Sequence, residues 1–294
     1  MQQIKIGTCV PGSEVINWLP HLVKHGFETI ELYYNVTLGN TDFVELSKEV
    51  KEIIGDSGVE ITTIGLYCNP IQFEEQRREL EYCIDHAHLF GAKIISTFAG
   101  AYEGRSVEEA IPKFGTVFRE LAKRAEDKNL KIGIENWPAN GVWQRATCNI
   151  GFSPRAWELM FNEVANQNVG LEWEPTHQME QLIDPIPQLR QWVKKIVHVH
   201  GKDATIDMDM VKRYGILGGA NYAYHRTPGF GDSNWRDIIS ILHMGGYEGD
   251  ICIEGFHDPI YSGAWEMTAQ LHALQYLKWC RGGNFIANPW DRTK

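Results

Sequence analysis

The sequence predicts an α/β fold, a single (β/α)8 TIM barrel domain spanning residues 1–294. Three observations lead there. Short β-branched runs alternate eight times with longer amphipathic ones, which is the element count of a barrel of about 250 residues. After the first strand stands "CVPGSE" (9–14), not the GxGxxG turn that a doubly wound open sheet usually shows. Ionisable residues fall at the ends of successive strands, where such a barrel carries its chemistry.

The candidate strands, in order, are 4–10, 29–35, 60–67, 93–100, 130–137, 169–174, 195–202 and 250–256. Helix-like stretches follow them at 14–25, 41–55, 74–90, 107–128, 153–166, 185–194, 235–244 and 264–280. In the fourth helix Ile111, Phe114, Phe118, Leu121 and Ala125 recur at helical spacing. The preceding "SVEE" (106–109) has the serine-to-glutamate spacing of a capping box. The longest irregular stretch, 203–234, carries Gly215, Gly218, Gly219, Gly229 and Gly231 and reads as a functional lid. Neither an internal repeat nor a low-complexity segment interrupts the pattern.

Composition narrows the partners. Hydrophobic residues make up 43% of the chain, enough for a substantial core, and the formal net charge is −10. With no basic run or Arg/Lys stripe, the chain lacks the electrostatic footprint of a nucleic-acid binder. Its six cysteines are scattered without a CxxC pair, as expected for reduced thiols. No apolar run approaches the ~18 residues of a membrane span, and "MQQIKIGTCV" reads as a strand and not a signal peptide. A cytoplasmic protein with no membrane partner is the expectation, and homo-oligomerisation stays open.

The polar residues fall on one rim. Strand five ends in Glu135 and strand six in Glu174, with His177 three residues on; strand seven carries His198, His200 and then Lys202 and Asp203; strand eight ends in Glu254. Side chains alternate faces along a strand, so His198 shares a face with His200, Glu172 with Glu174 and Cys252 with Glu254. Carboxylates converging in a barrel mouth repel one another by about 4 kcal/mol per pair at ~4 Å and an effective dielectric near 20. A divalent cation removes that cost, and oxygen ligands with one imidazole suit Mn²⁺, Mg²⁺ or Co²⁺. Glu135, Glu174, His200 and Glu254 are therefore the candidate metal ligands. Deeper in the barrel, His198 reads as a core histidine and Glu172 as a buried acid for which Lys202 is a candidate partner. Lys202 and Asp203 read equally well as a loop ion pair. Trp137, two residues after Glu135, offers a ring face to a sugar.

These residues resemble the xylose-isomerase-like barrels, a group of sugar isomerases and epimerases, inosose dehydratases and isomerases, and endonuclease IV-type enzymes. The resemblance covers essentially the whole chain and rests on "IENWP" (134–138), "EPTH" (174–177), "HVHGKD" (198–203), "PGFGDSNW" (228–235) and "CIEG" (252–255). It implies that Glu135, Glu174, His200 and Glu254 bind the metal, that Glu135 and Glu254 also move protons, and that His177 and Arg226 touch substrate. One departure stands out: the family usually has aspartate where this chain has Glu174. The endonuclease branch adds histidines on the earlier strands and a D-x-H pair after strand seven. Here "GLYCNP" and "STFAGAY" end strands three and four, without histidine.

The function expected from the sequence is a divalent-metal-dependent sugar isomerase or epimerase acting on a small carbohydrate, a ketose, aldose or keto-inositol. The cofactor expected is Mn²⁺ first, with Mg²⁺, Co²⁺ or Zn²⁺ as alternatives. Proton abstraction beside the carbonyl by Glu135 or Glu254 would give an enediolate. The alternative is a metal-dependent dehydratase or lyase, which needs a further acid such as His177 or Lys202 to protonate the leaving hydroxyl. A non-catalytic sugar-binding protein and a nuclease rank below both.

Overall fold

The computed structural model describes residues 3–290; the ends of the predicted domain, 1–2 and 291–294, lie outside the described residues. Its strands are β1 (Lys5–Pro11), β2 (Thr29–Asn35), β3 (Glu60–Tyr67), β4 (Ile94–Thr97), β5 (Lys131–Glu135), β6 (Val169–Trp173), β7 (Ile196–Gly201), β8 (Asp203–Ile206), β9 (Ala223–Arg226) and β10 (Asp250–Ile253). Eight of them close into a barrel in the order β1–β10–β7–β6–β5–β4–β3–β2. Every barrel pair is parallel. The eighth strand read from the sequence is β10, and helices between the strands complete the (β/α)8 TIM barrel.

Alternation along each strand explains both layers of the fold. Ile30 and Leu32 on β2, Ile132 and Ile134 on β5, and Ile251 and Ile253 on β10 join the hydrophobic core. Their neighbours one step along, Glu31, Gly133 and Cys252, occupy the other face. The inward face is polar to an unusual degree: Glu31, Thr63, Ser96, Glu172, His198 and His200 are all buried. Gly65 makes room for this interior, since a Cβ there would stand 2.6 Å from Glu31 Oε1. The helices obey their local signals. Ser106 and Glu109 form the reciprocal capping box at the start of Val107–Glu126, whose apolar stripe includes Phe114, Phe118 and Leu121.

The stretch 203–234 is not the irregular segment expected from the sequence. β8 and β9 pair antiparallel, with Asp203 opposite Arg226, and a helix, Met208–Tyr214, sits between them. Asp203 is buried and accepts from Ala204 N at 2.8 Å, Ser233 N at 2.9 Å and Trp235 Nε1 at 3.2 Å. It is a structural anchor of this hairpin and not half of an ion pair with Lys202. Among the described residues all six cysteines are free, and no helix is long and apolar enough to cross a membrane.

The last helix, Glu266–Cys280, ties the chain's end back to its start. Arg281 donates to Ile4 O at 2.7 Å and makes a two-pronged ion pair with Glu28, at 2.6 and 2.9 Å. Burial alone would raise the Glu28 carboxyl, but the Arg281 and Ile6 N–H bonds outweigh it and lower its pKa. Removing the guanidinium by Arg281→Ala is expected to cost about 1–2 kcal/mol at neutral pH, with the partial exposure of Glu28 allowed for. A depressed carboxyl contributes stability above its unfolded value, and that stability is lost as pH falls through the folded value. The gap between wild-type and variant urea midpoints should therefore be wide at pH 7 and narrow below pH ~4. A gap independent of pH contradicts the assignment.

Candidate active site

At the C-terminal ends of β5, β6, β7 and β10 four side chains converge. Glu135, Glu174, His200 and Glu254 each offer a ligand atom within 4.8 Å of the others. The strand ends are locked by buried amides. Asn136 bridges β5 to β6 twice, donating to Glu174 O and accepting from Glu174 N, both at 2.9 Å. Asn149 Oδ1 accepts from Ala99 N at 3.0 Å, and its Nδ2 donates to Glu135 O at 2.9 Å. These backbones are fixed before any ligand arrives, which is what a preorganised site requires.

The donor set fits a metal ion. Oε2 of Glu174, Nδ1 of His200 and Oε2 of Glu254 are buried without a hydrogen-bond partner, while Oε1 of Glu174 is engaged by His177. Orphaned buried polar atoms are costly, and these face one another: His200 Nδ1 lies 3.2 Å from Glu254 Oε2 and 3.7 Å from Glu174 Oε2. The far side of the imidazole is engaged, because His200 Nε2 stands 2.9 Å from Glu31 Oε2. Without a metal, and against the cost of burial, Glu172 and Glu31 hold the His200 imidazole above the usual histidine range. With Nε2 donating to Glu31, Nδ1 faces the cluster and would ligate a metal on releasing its proton, the arrangement by which a carboxylate orients a metal-binding histidine. A register shift between Leu171 and Glu172 interrupts the β6–β7 ladder, and the Glu174 carboxylate turns to within 2.6 Å of His177 Nε2.

Around the cluster lies a ring of charged partners. Lys202 is buried and pairs with Glu254 at 2.8 Å and Glu174 at 3.8 Å. It is therefore not the partner of Glu172. Burial pushes the Glu172 carboxyl up to about 8, although His200 pulls the other way; its contacts are Tyr67 OH at 2.8 Å and His200 Nε2 at 3.4 Å. Burial also raises Glu135, and it opposes but does not prevent the lowering of Glu254 by Lys202 and of Glu174 by His177 and Lys202. His177 lies between Glu174, Glu135 (3.5 Å) and Glu180 (2.8 Å). Against the cost of burial those carboxylates hold its imidazole well above the usual histidine range.

The cluster opens into a cavity lined by Glu135, His177, His200, Lys202, Glu254 and Trp137, among others. Of the residues read from the sequence as site residues, Glu174 belongs to the cluster without lining the cavity, and Arg226 belongs to neither. Its Nε donates to Asp258 at 3.0 Å, the same oxygen that accepts Thr227 N. Alternation along β9 sends His225 to the cavity instead, where it contacts Glu180 at 3.1 Å. The hairpin is docked on the site by that contact and by Tyr222 OH donating to Glu180 O at 2.7 Å.

Sequence reasoning passed over Glu31, Tyr67, His225 and His257. Glu31 is fully buried and takes Tyr67 OH at 2.6 Å, His198 Nε2 at 2.8 Å and His200 Nε2 at 2.9 Å. His198 in turn reaches Asp250 at 3.1 Å. A signal for Glu31 was present: a lone acid between Ile30 and Leu32 in a strand, the same oddity that marks Glu172. His257, three residues beyond Glu254, reaches its carboxylate at 3.0 Å.

Comparison with known proteins agrees with the barrel fold. A family model described as xylose isomerase-like TIM barrel matches residues 19–280. An inosose dehydratase of Clostridium beijerinckii is 26% identical over 225 residues, covering 70% of this chain and 71% of that protein. Two solved structures share the fold. One is a 3-keto-D-glucoside 4-epimerase from E. coli, with a TM-score of 0.69 at 17% identity over 95% of this chain and 100% of that one. The other is a xylose isomerase-like TIM barrel protein from Mycobacterium smegmatis in complex with magnesium, with a TM-score of 0.71 at 17% identity over 95% and 96%.

Proposed function

The chain belongs to the xylose isomerase-like TIM barrel family, and from that premise we propose that it is a divalent-metal-dependent isomerase or epimerase of a small carbohydrate carbonyl compound. The observation that carries the reading is the cluster of Glu135, Glu174, His200 and Glu254, with orphaned buried ligand atoms, at the floor of a cavity. The names of the relatives support a carbohydrate substrate. When bound by these four residues, a divalent ion supplies Lewis-acid polarisation of a carbonyl and a neighbouring hydroxyl. Mn²⁺ heads the candidates, followed by Mg²⁺, Co²⁺ and Zn²⁺.

The chain's own residues do the rest. Glu254, flanked by Lys202 and His257, is kept ionised and takes the proton from the carbon beside the carbonyl. Glu135, on β5, returns a proton from its own side. Return to the same carbon from the opposite face gives an epimer, and return to the adjacent carbon gives an isomer. His177, fixed through Nδ1 by Glu180, shares Nε2 between Glu174 and a substrate oxygen. Trp137 offers its ring to the apolar face of the sugar.

A second reading, dehydration, is favoured by one specific feature: Lys202 and His257 both stand beside Glu254, where either can protonate a departing hydroxyl. Incubation with keto sugars and keto-inositols in D₂O separates the two. Isomerisation or epimerisation is expected, giving product of unchanged composition that carries solvent deuterium. A main product lighter by one water overturns that in favour of dehydration.

A further inference from the structure

The proposed chemistry occupies the β5–β10 side of the cavity and leaves the β2–β4 side without a task. The cavity measures about 690 Å³, a size that takes a drug-sized ligand, whereas a free hexose has only about a dozen non-hydrogen atoms. Its unused wall is apolar, formed by Tyr33, Val36, Phe73, Phe98 and Phe256 and continued by Trp137. Phe98 packs between Tyr67 and Trp137, with ring centroids 5.3 and 5.4 Å away. An aromatic surface therefore runs from beside the carboxylate cluster towards the mouth.

Two features of this wall are not explained by core packing. Val36 is 53% and Phe73 39% exposed, so neither is there to fill the interior. Val36 (φ 66°) and Phe256 (φ 69°) also hold left-handed backbone. A β-branched residue in that region is a genuine outlier, and such strain gathers where function needs a side chain's direction. Asn69 on this side is engaged: it exchanges bonds with Ala101 N and O at 2.9 and 3.0 Å, and Gln76 Oε1 accepts Asn69 N at 2.7 Å. Ring faces dominate the wall, with Tyr33 OH, Asn35, Gln76 Nε2 and Glu103 as its polar points, and its aromatic stretch suits an aryl group.

We propose that this wall is a second subsite that seats an aromatic aglycone, so that the preferred substrate is an aryl glycoside whose sugar ring carries the carbonyl group, and not a free sugar; glycosides without that carbonyl serve as binding probes. The proposal rests on the carbohydrate reading of the same site. Burial of the aryl ring and its contacts with Phe98 and Phe73 supply the added affinity.

Calorimetric titration of the Mn²⁺-loaded protein with 4-nitrophenyl β-D-glucopyranoside, methyl β-D-glucopyranoside, cellobiose and 4-nitrophenol tests it. The aryl glucoside is expected to bind at least tenfold more tightly than the methyl glucoside. Phe73→Ala, at a partly exposed position where folding is not at stake, should shrink that ratio threefold or more. Equal affinities for the two glucosides, an unchanged ratio in F73A, or no binding of any probe overturns the subsite. Cellobiose matching the aryl glucoside overturns the aromatic assignment in favour of a second sugar. If 4-nitrophenol alone binds as tightly as its glucoside, the carbohydrate reading fails instead.

Discussion

Glu254→Gln should lower kcat and kcat/KM together by about 10²–10⁴-fold, the range supplied by a positioned acid or base. The substitution keeps an oxygen that can face the cluster but removes the group that accepts the proton. Lys202 Nζ and His257 Nε2, at 2.8 and 3.0 Å from Glu254, would then be left without their counter-charge. Loss of both parameters in parallel marks an interaction needed in the transition state; a rise in KM alone marks substrate binding. Steady-state kinetics on whichever carbonyl sugar turns over, with metal content measured on the same sample, checks this. A variant with full metal and more than a tenth of wild-type kcat removes Glu254 from proton transfer.

The second large effect is expected at a residue that touches no substrate. Glu31→Gln should weaken metal binding by about 10–100-fold, the usual cost of losing a partner that orients a ligand. Its carboxylate accepts from His198, His200 and Tyr67 at once, and an amide cannot accept all three. Burial works against ionisation of Glu31, but the charge of His200 and its bonds with His198 and His200 hold its pKa far below the usual carboxylate range. The substitution therefore also breaks a buried charge network, which costs about 3–5 kcal/mol when one partner is removed. Calorimetry with Mn²⁺ reads the first effect and a urea midpoint the second, neither needing turnover. Unchanged metal affinity in a folded variant would show that Glu31 does not set the His200 tautomer.

How far the sequence carries the account can be judged residue by residue. Strand parity was legible because a barrel strand alternates strictly, so Glu135, Glu174, His200 and Glu254 share one rim in both readings. Strand lengths were less legible. The eighth strand was read as 250–256, yet β10 ends at Ile253, since strand propensity does not register where the pairing partner stops. The hairpin of β8 and β9 was missed because each strand has four residues and they are separated by a helix, with no short turn to announce a pair. Arg226 lies outside the cavity, as the alternation of an unrecognised strand sends His225 inward. Glu31 failed to register because its partners sit on β3 and β7, and only the closed barrel brings them together.

The central claim is that one divalent ion is held by Glu135, Glu174, His200 and Glu254. The most direct measurement is anomalous diffraction from a crystal grown with Mn²⁺. The account predicts a single strong peak among Glu135, Glu174, His200 Nδ1 and Glu254, with Lys202 still paired to Glu254. Three other groups of buried or half-buried side chains offer converging ligand atoms among the described residues: Glu31 with Glu172, His198 and His200; His177 with Glu180 and His225; and His198 with Asp250 and Cys252. A peak at any of those places, or a mouth without any peak and its four side chains splayed apart, would contradict the account.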